Sequence, residues 1–285
     1  MYPLRINFLS KFLTLLFLGV LSSTIISCDG SFEVPAPEEF SKKNREKLGE
    51  LIHSAILENN QFQFLPNQSP YDTTVYWYIQ ELYNQANFAM RLDNLSPSND
   101  RWNQDRDWEV HIIQNDDLKT AFSIPGGDFY ISSGFLKLFE EDFELFYILS
   151  FEGVLMNDRH LLTRLIEEYN SLTLINIIQG TADANLTSLN IIAQELPELI
   201  FEDNIVRMID SESVRNVCES SIFERQGIIP LLNNYDDNSV AWLRTRETYD
   251  SRIEDIPFFS TENGWECGEL RNTGKYQKYV LDYLP

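Results

Sequence analysis

Basic side chains are scarce in this 285-residue chain: 22 Lys and Arg stand against 44 Asp and Glu, giving a formal charge of −22 and a pI near 4.4. No Lys/Arg cluster overrides that field, so phosphate backbones are repelled and nucleic acid is excluded as a partner. Cysteine is limited to three residues, too few for a dense disulfide scaffold or a four-thiolate metal site. Histidine also numbers three, which constrains any imidazole-ligated metal chemistry. No Gly-rich phosphate loop, serine nucleophile elbow or C-x-x-C pair is found. What remains is an apolar fraction of 43%, ordinary for a globular protein and too high for an acidic disordered chain.

The first thirty residues read as a secretory signal. Arg5 and Lys11 supply the positive end, Phe12 to Leu21 an apolar run, and small residues follow. That run is about half the ~20 residues a membrane-spanning helix needs, so a permanent transmembrane anchor is not expected. Ile25-Ile26-Ser27-Cys28-Asp29 then resembles a bacterial lipobox, in which the cysteine becomes the new N-terminus. Two or three acyl chains on Cys28 would anchor the protein stably where one is marginal. Loss of residues 1–27 removes two basic and no acidic side chains, taking the charge from −22 to −24. Residues 28–40, with two prolines and several acids, read as a tether, and residues 41–285 as a single domain. Cys218 and Cys267 remain; outside the cytoplasm they are candidates for one disulfide.

Leu48, Leu51, Ile52, Ala55 and Ile56 share one helical face, and Val75, Ile79, Leu82, Tyr83, Ala86 and Ala89 repeat the spacing in a second helix. The period then changes. Trp108 to Ile113 alternates as a strand, and Thr120–Ile124 and Asp128–Ser132 flank Pro125-Gly126-Gly127 as a hairpin. Helix is expected from Gly134 to about Tyr169, then through Ile175, Leu199–Met208 and Val214–Arg225. Strands clustered between helix groups predict an α+β domain dominated by helix.

Residues 120–136, with Thr120-Ala121-Phe122-Ser123-Ile124-Pro125-Gly126-Gly127, a strand and Gly134-Phe135-Leu136, resemble a segment of the HtpX and CAAX-prenyl-protease type of zinc metallopeptidase. There N-A-F-x-x-P-G-G precedes a strand and G-L-L. The following family helix carries H-E-x-x-H, and in register this chain has Phe151-Glu152-Gly153-Val154-Leu155. The resemblance implies a gluzincin-type, metallopeptidase-like domain with a small sheet beside the former zinc helix. Zinc chemistry needs imidazoles at i and i+4 to bring both nitrogens to one ion, with the Glu as general base. Phe151 and Leu155 offer no lone pair, and Val214 stands where the resemblance places the third ligand. A downstream family histidine aligns with Arg246, whereas the Arg-Ile pair after it persists as Arg252-Ile253. Glu152 alone keeps its family identity, as a relic general base or as a helix carboxylate bonded to an Arg or backbone group. With no metal-bound water to activate, Glu152→Gln is expected to leave folding nearly unchanged.

The helix around Glu152 is apolar nearly all round, so it is expected to be buried on every side. Phe151 and Leu155 would fill the former metal site, each burial contributing about 1.5–3 kcal/mol. His160, eight residues after Glu152, lies about 80° away around a continuous helix and does not converge with it. His53 and His111 fall on unrelated elements and read as surface or satisfied core residues. The lipobox, with the peptidase resemblance and its lost ligand positions, implies a lipid-anchored, catalytically inactive envelope protein on the extracytoplasmic side, without cofactor or metal, acting by binding or scaffolding. Its groove would run along Thr120, Ala121, Phe122, Ser123 and Ile124, where the family pairs an extended peptide with a strand edge. The alternative is an active zinc peptidase with relocated ligands such as Glu152, His160 and Glu212. A purely structural envelope lipoprotein with no retained groove is a third reading, favoured if the C-terminal segment covers that strand edge.

Overall fold

A computed structural model describes residues 40–60, 62–67, 70–92, 108–180, 184–225, 227, 229–234, 242, 249–269 and 274–285. The signal, Cys28, residues 28–39 of the tether and Arg246 lie outside the described residues; Phe40, expected at the tether's end, is instead buried in the core because its ring is apolar. Helices α1 (Lys42–Glu58) and α2 (Pro70–Leu92) precede a sheet of β1 (Val110–Ile113), β2 (Ala121–Ser123) and β3 (Phe129–Ser132). Ser41 caps α1 by accepting a hydrogen bond from the Asn44 amide at 3.2 Å. The short turn α3 (Ser133–Leu136) leads to α4 (Asp142–Asn157), α5 (His160–Tyr169), α6 (Ser171–Gln179) and α7 (Ala184–Glu195). A 3₁₀ turn (Leu196–Glu198), α8 (Asp203–Glu219), α9 (Ile229–Asn234), α10 (Tyr249–Asn263) and a final helical turn (Gln277–Leu281) complete the order. This is an α+β architecture, mainly helical with a small mixed sheet. No helix of the described residues is long and apolar enough to cross a membrane.

The sheet order is β1-β3-β2, with β3 parallel to β1 and antiparallel to β2. Gly126 (φ 101°) and Gly127 (φ 113°) make the β2–β3 turn, in backbone conformations that a Cβ disfavours. Helix α1 lies close against this turn because Gly49 has no side chain: a Cβ there would come within 1.6 Å of the Pro125 carbonyl oxygen. Register then decides which side chains share a face. Opposed pairs His111–Tyr130 and Phe122–Tyr130 put these rings in one row, with Phe122 and Tyr130 stacked at 4.8 Å between centroids. Phe62 and His53 meet this row, so α1 and the segment after it cover that face. The opposite face, carrying Ser123 and Phe129, meets α4 and Tyr83 of α2.

The single helix expected from Gly134 to Tyr169 is three. It breaks at Phe139–Glu141, where Glu144 accepts hydrogen bonds from the amides of Glu140 and Glu141 and so starts α4. It breaks again at Arg159, whose left-handed backbone (φ 65°) reverses the chain into α5. The segments Leu199–Met208 and Val214–Arg225 differ in the opposite sense. They belong to one helix, α8, which starts at Asp203 and ends at Glu219, before Ser221 turns left-handed (φ 54°). Cys218, near its end, forms a disulfide with Cys267.

Candidate functional site

Every residue from Asp142 to Leu155 of α4 is buried, which is what an apolar circumference requires. At the resemblance's ligand positions Phe151, Leu155 and Val214 are each 0% exposed. Their hydrocarbon side chains hold no lone pair for an ion, so the donor set does not fit zinc here. Trp242, 90 residues beyond Glu152 in sequence, closes the space. Its indole stands edge-on to Phe151 at 5.0 Å between centroids and 5.9 Å from Phe135.

Glu152 is 0% exposed, and both its carboxylate oxygens are engaged. Oε2 accepts from the Ser123 amide and from Ser123 Oγ, each at 2.9 Å. Oε1 accepts from Trp242 Nε1 at 2.9 Å. These partners include a strand-edge amide, so the backbone-bonded helix carboxylate is the reading they support. A carboxylate accepting three good donors in a dry site is a structural tie. The expectation that Glu152→Gln would be nearly neutral changes accordingly, because an amide cannot accept at both ends.

The same contacts decide the fate of the groove. In β2 the even residues face β3, so the outward edge belongs to Lys119, Ala121 and Ser123. The Ser123 amide is taken by Glu152, and the Lys119 carbonyl accepts from the Trp242 amide at 3.3 Å. Thr120 Oγ1 donates to the Pro197 carbonyl, bringing the 3₁₀ turn over the strand's start. Thr120, Ala121, Phe122, Ser123 and Ile124 are all at most 1% exposed. The groove expected along Thr120–Ile124 is thus a correction: the strand is terminal in sheet order, but the chain itself covers it. The far edge is closed in the same manner. The Val110 and Ile112 amides donate to Gln80 and Tyr76 of α2, and the Ile112 carbonyl accepts from the Leu65 amide. Capped edges of this kind prevent strand addition.

A polar network lies beside Phe151. Arg252 holds Asp210 with two parallel bonds, Nε–Oδ2 at 2.8 Å and Nη2–Oδ1 at 2.7 Å, and Tyr147 donates to Asp210 Oδ1 at 2.7 Å. The Arg and Asp side chains are 5% and 2% exposed. Burial depresses the guanidinium pKa, but the adjacent Asp210 carboxylate outweighs it and holds the group firmly charged. Burial and then the Asp210 charge push the Tyr147 phenol well up. The guanidinium stands 5.4 Å from the Phe151 ring centre and 5.5 Å from that of Trp242. A fixed protein cation therefore borders the space where the resemblance would place a metal.

His160 does not extend the Glu152 helix but opens α5, and Glu212 pairs with Arg215 at 3.3 Å. Glu152, His160 and Glu212 form no metal-capable group among the described residues. The reading of His53 and His111 as unrelated is also corrected. Their rings lie 4.9 Å apart, and with Asp128 they place one donor atom each within 4.8 Å of the others. The sequence signal for this meeting was the i, i+2 spacing of Asp128 and Tyr130 beside a strand histidine. It stayed unreadable without knowing that β1 runs parallel to β3. Trp242 and the Asp210–Arg252 pair gave no local signal, since their partners are 90 and 42 residues away.

No protein-family model matches this chain, and no curated protein matches it either.

Proposed function

We propose that the chain is a lipid-anchored, catalytically inactive, metallopeptidase-like protein of the bacterial cell envelope that acts by scaffolding or binding a peptide or protein partner. The observation that carries this reading is the state of Glu152. The one residue retaining the family's catalytic identity is spent on Ser123 and Trp242. Hydrolysis by this family needs a Lewis acid with three protein ligands and an open position. Hydrocarbon at Phe151, Leu155 and Val214 supplies none of them.

The covered edge of β2, closed in part by Trp242, counts against peptide capture along the strand and favours the scaffolding role. Strand addition requires unpaired backbone groups, so partner binding falls to the outer helical surfaces and the anchor at Cys28. The test is peptide and casein cleavage by the purified full chain, with and without a chelator. No chelator-sensitive turnover is expected. Cleavage abolished by the chelator and by Glu152→Gln would refute the inactive reading.

A further inference from the structure

We propose that His53, His111 and Asp128 form a binding site for a divalent transition-metal ion, zinc by preference, on the sheet face opposite Glu152. The inference does not rest on the metallopeptidase resemblance. It uses none of the residues at that family's ligand positions.

Three separate elements build the site. His53 stands on α1 beside the buried stripe of Leu48, Ile52 and Ile56. His111 is the second residue of β1, and Asp128 follows the Gly126-Gly127 turn into β3. Residues this far apart in sequence meet because β1 pairs in parallel with β3 and α1 lies over that face. Two of the chain's three histidines and a carboxylate only 1% exposed thus converge, in a chain of 285 residues that spends imidazoles sparingly.

The geometry is close to that of a metal site. His53 Nδ1 lies 3.8 Å from Asp128 Oδ2 and 2.5 Å from the Tyr130 hydroxyl. The Tyr130 ring in turn stacks on His111 at 4.8 Å and 25°. The three donor atoms lie within 4.8 Å of one another. Zinc bonds of about 2.0–2.1 Å in a tetrahedron set neighbouring donors roughly 3.4 Å apart. The group must therefore close by about 1.5 Å at most, a distance that χ rotations of a partly exposed histidine supply. His53, with its side chain 23% exposed, is the flexible member and the side from which an ion enters.

The donor chemistry selects the ion. Two imidazoles with one carboxylate suit zinc and its neighbours in the transition series, whereas calcium and magnesium prefer all-oxygen shells. A dication would offset the burial of the Asp128 charge, and the ring contacts to Tyr130 and Phe64 fix the plane of His111. His53 Nδ1 bonds the Tyr130 hydroxyl and is also the nitrogen 3.8 Å from Asp128 Oδ2, so an ion held at Nδ1 takes the place of that hydrogen bond. Three protein donors leave a fourth position for water or a partner's ligand.

The experiment is zinc titration of the full chain, purified without a histidine tag, using a competing chromophoric chelator and thermal melts. One zinc per chain is expected, with a rise in melting temperature that the chelator reverses. His53→Asn and Asp128→Asn are expected to lose more than the roughly 10–100-fold that outer contacts are worth, and Tyr130→Phe, which frees Nδ1 of a competing hydrogen bond, to bind at least as tightly as the unaltered chain. His160→Asn, the remaining histidine, and Glu152→Gln are expected to bind as the unaltered chain does. His53→Asn is the deciding variant, because its partly exposed side chain allows folding to be verified by circular dichroism. Zinc binding that is substoichiometric, or equally strong in folded His53→Asn, would overturn the site. So would a melt that zinc leaves unmoved.

Discussion

Glu152→Gln turns the buried tie between α4, β2 and Trp242 into a measurable quantity. The carboxylate accepts at both ends: Ser123 N and Oγ at Oε2, Trp242 Nε1 at Oε1. A glutamine fills the same volume but has one oxygen. With that oxygen toward Ser123, its amide nitrogen faces the indole N–H, donor against donor. A buried donor left without an acceptor costs about 1–3 kcal/mol, and exchanging charge-assisted bonds for neutral ones adds to the loss. Relief of the buried charge works in the other direction. We therefore expect a net destabilisation of about 2 kcal/mol and place the weight on a double-mutant cycle with Trp242→Phe. Removing the indole N–H first removes the donor conflict, so Glu152→Gln should cost about 1 kcal/mol less in that background. Urea unfolding followed by far-UV circular dichroism reads both, with an unchanged slope and a lowered midpoint. Additive effects of the two changes, or a Glu152→Gln protein within about 0.5 kcal/mol of the parent, would refute the tie.

Glu144 and Arg252 give further perturbations of the fold, and Cys28 one of the proposed anchor. Burial raises the Glu144 carboxyl to about 7 despite the two amides that bond it, so the folded state holds this proton while the unfolded chain has released it. Its contribution is present in full below about pH 4.5 and is lost as pH rises to about 7, roughly 3 kcal/mol in all; Glu144→Gln should flatten that fall, and an identical pH profile would refute it. Arg252→Met leaves Asp210 buried with only Tyr147 beside it and should cost about 3–5 kcal/mol in the same urea assay; a change below 1 kcal/mol would show the pair to be dispensable. Cys28→Ala should move the protein from the membrane to the soluble fraction, and retention in the membrane would refute lipid anchoring at that residue.

Residues with local partners were legible and residues with distant ones were not. The periodicity of Leu48 to Ile56 and of Val75 to Ala89 placed two helices, because each apolar stripe needs only its own spacing to declare itself. The all-round apolar run from Phe143 to Leu155 declared its burial in the same way. The left-handed turn at Arg159 gave no such signal, since arginine is not a residue that favours it and the apolar pattern continues on both sides. The capped state of β2 was equally hidden. An alternating run around Ala121–Ser123 says that a strand exists, but its neighbours are fixed by Glu152, Pro197 and Trp242 from three other parts of the chain.

Cys218 and Cys267 carry a topological consequence. The bond between them closes a loop with a sequence separation of 49, and Trp242 and Arg252 both lie inside it. The two side chains that crowd Phe151 are therefore held on a covalent ring and stay near their partners even when their own contacts open. A single proteolytic cut anywhere between the two cysteines would release no fragment. The cleaved protein would migrate as one species until a reductant separated it into two, and Trp242 would keep its route back to Glu152 across the break.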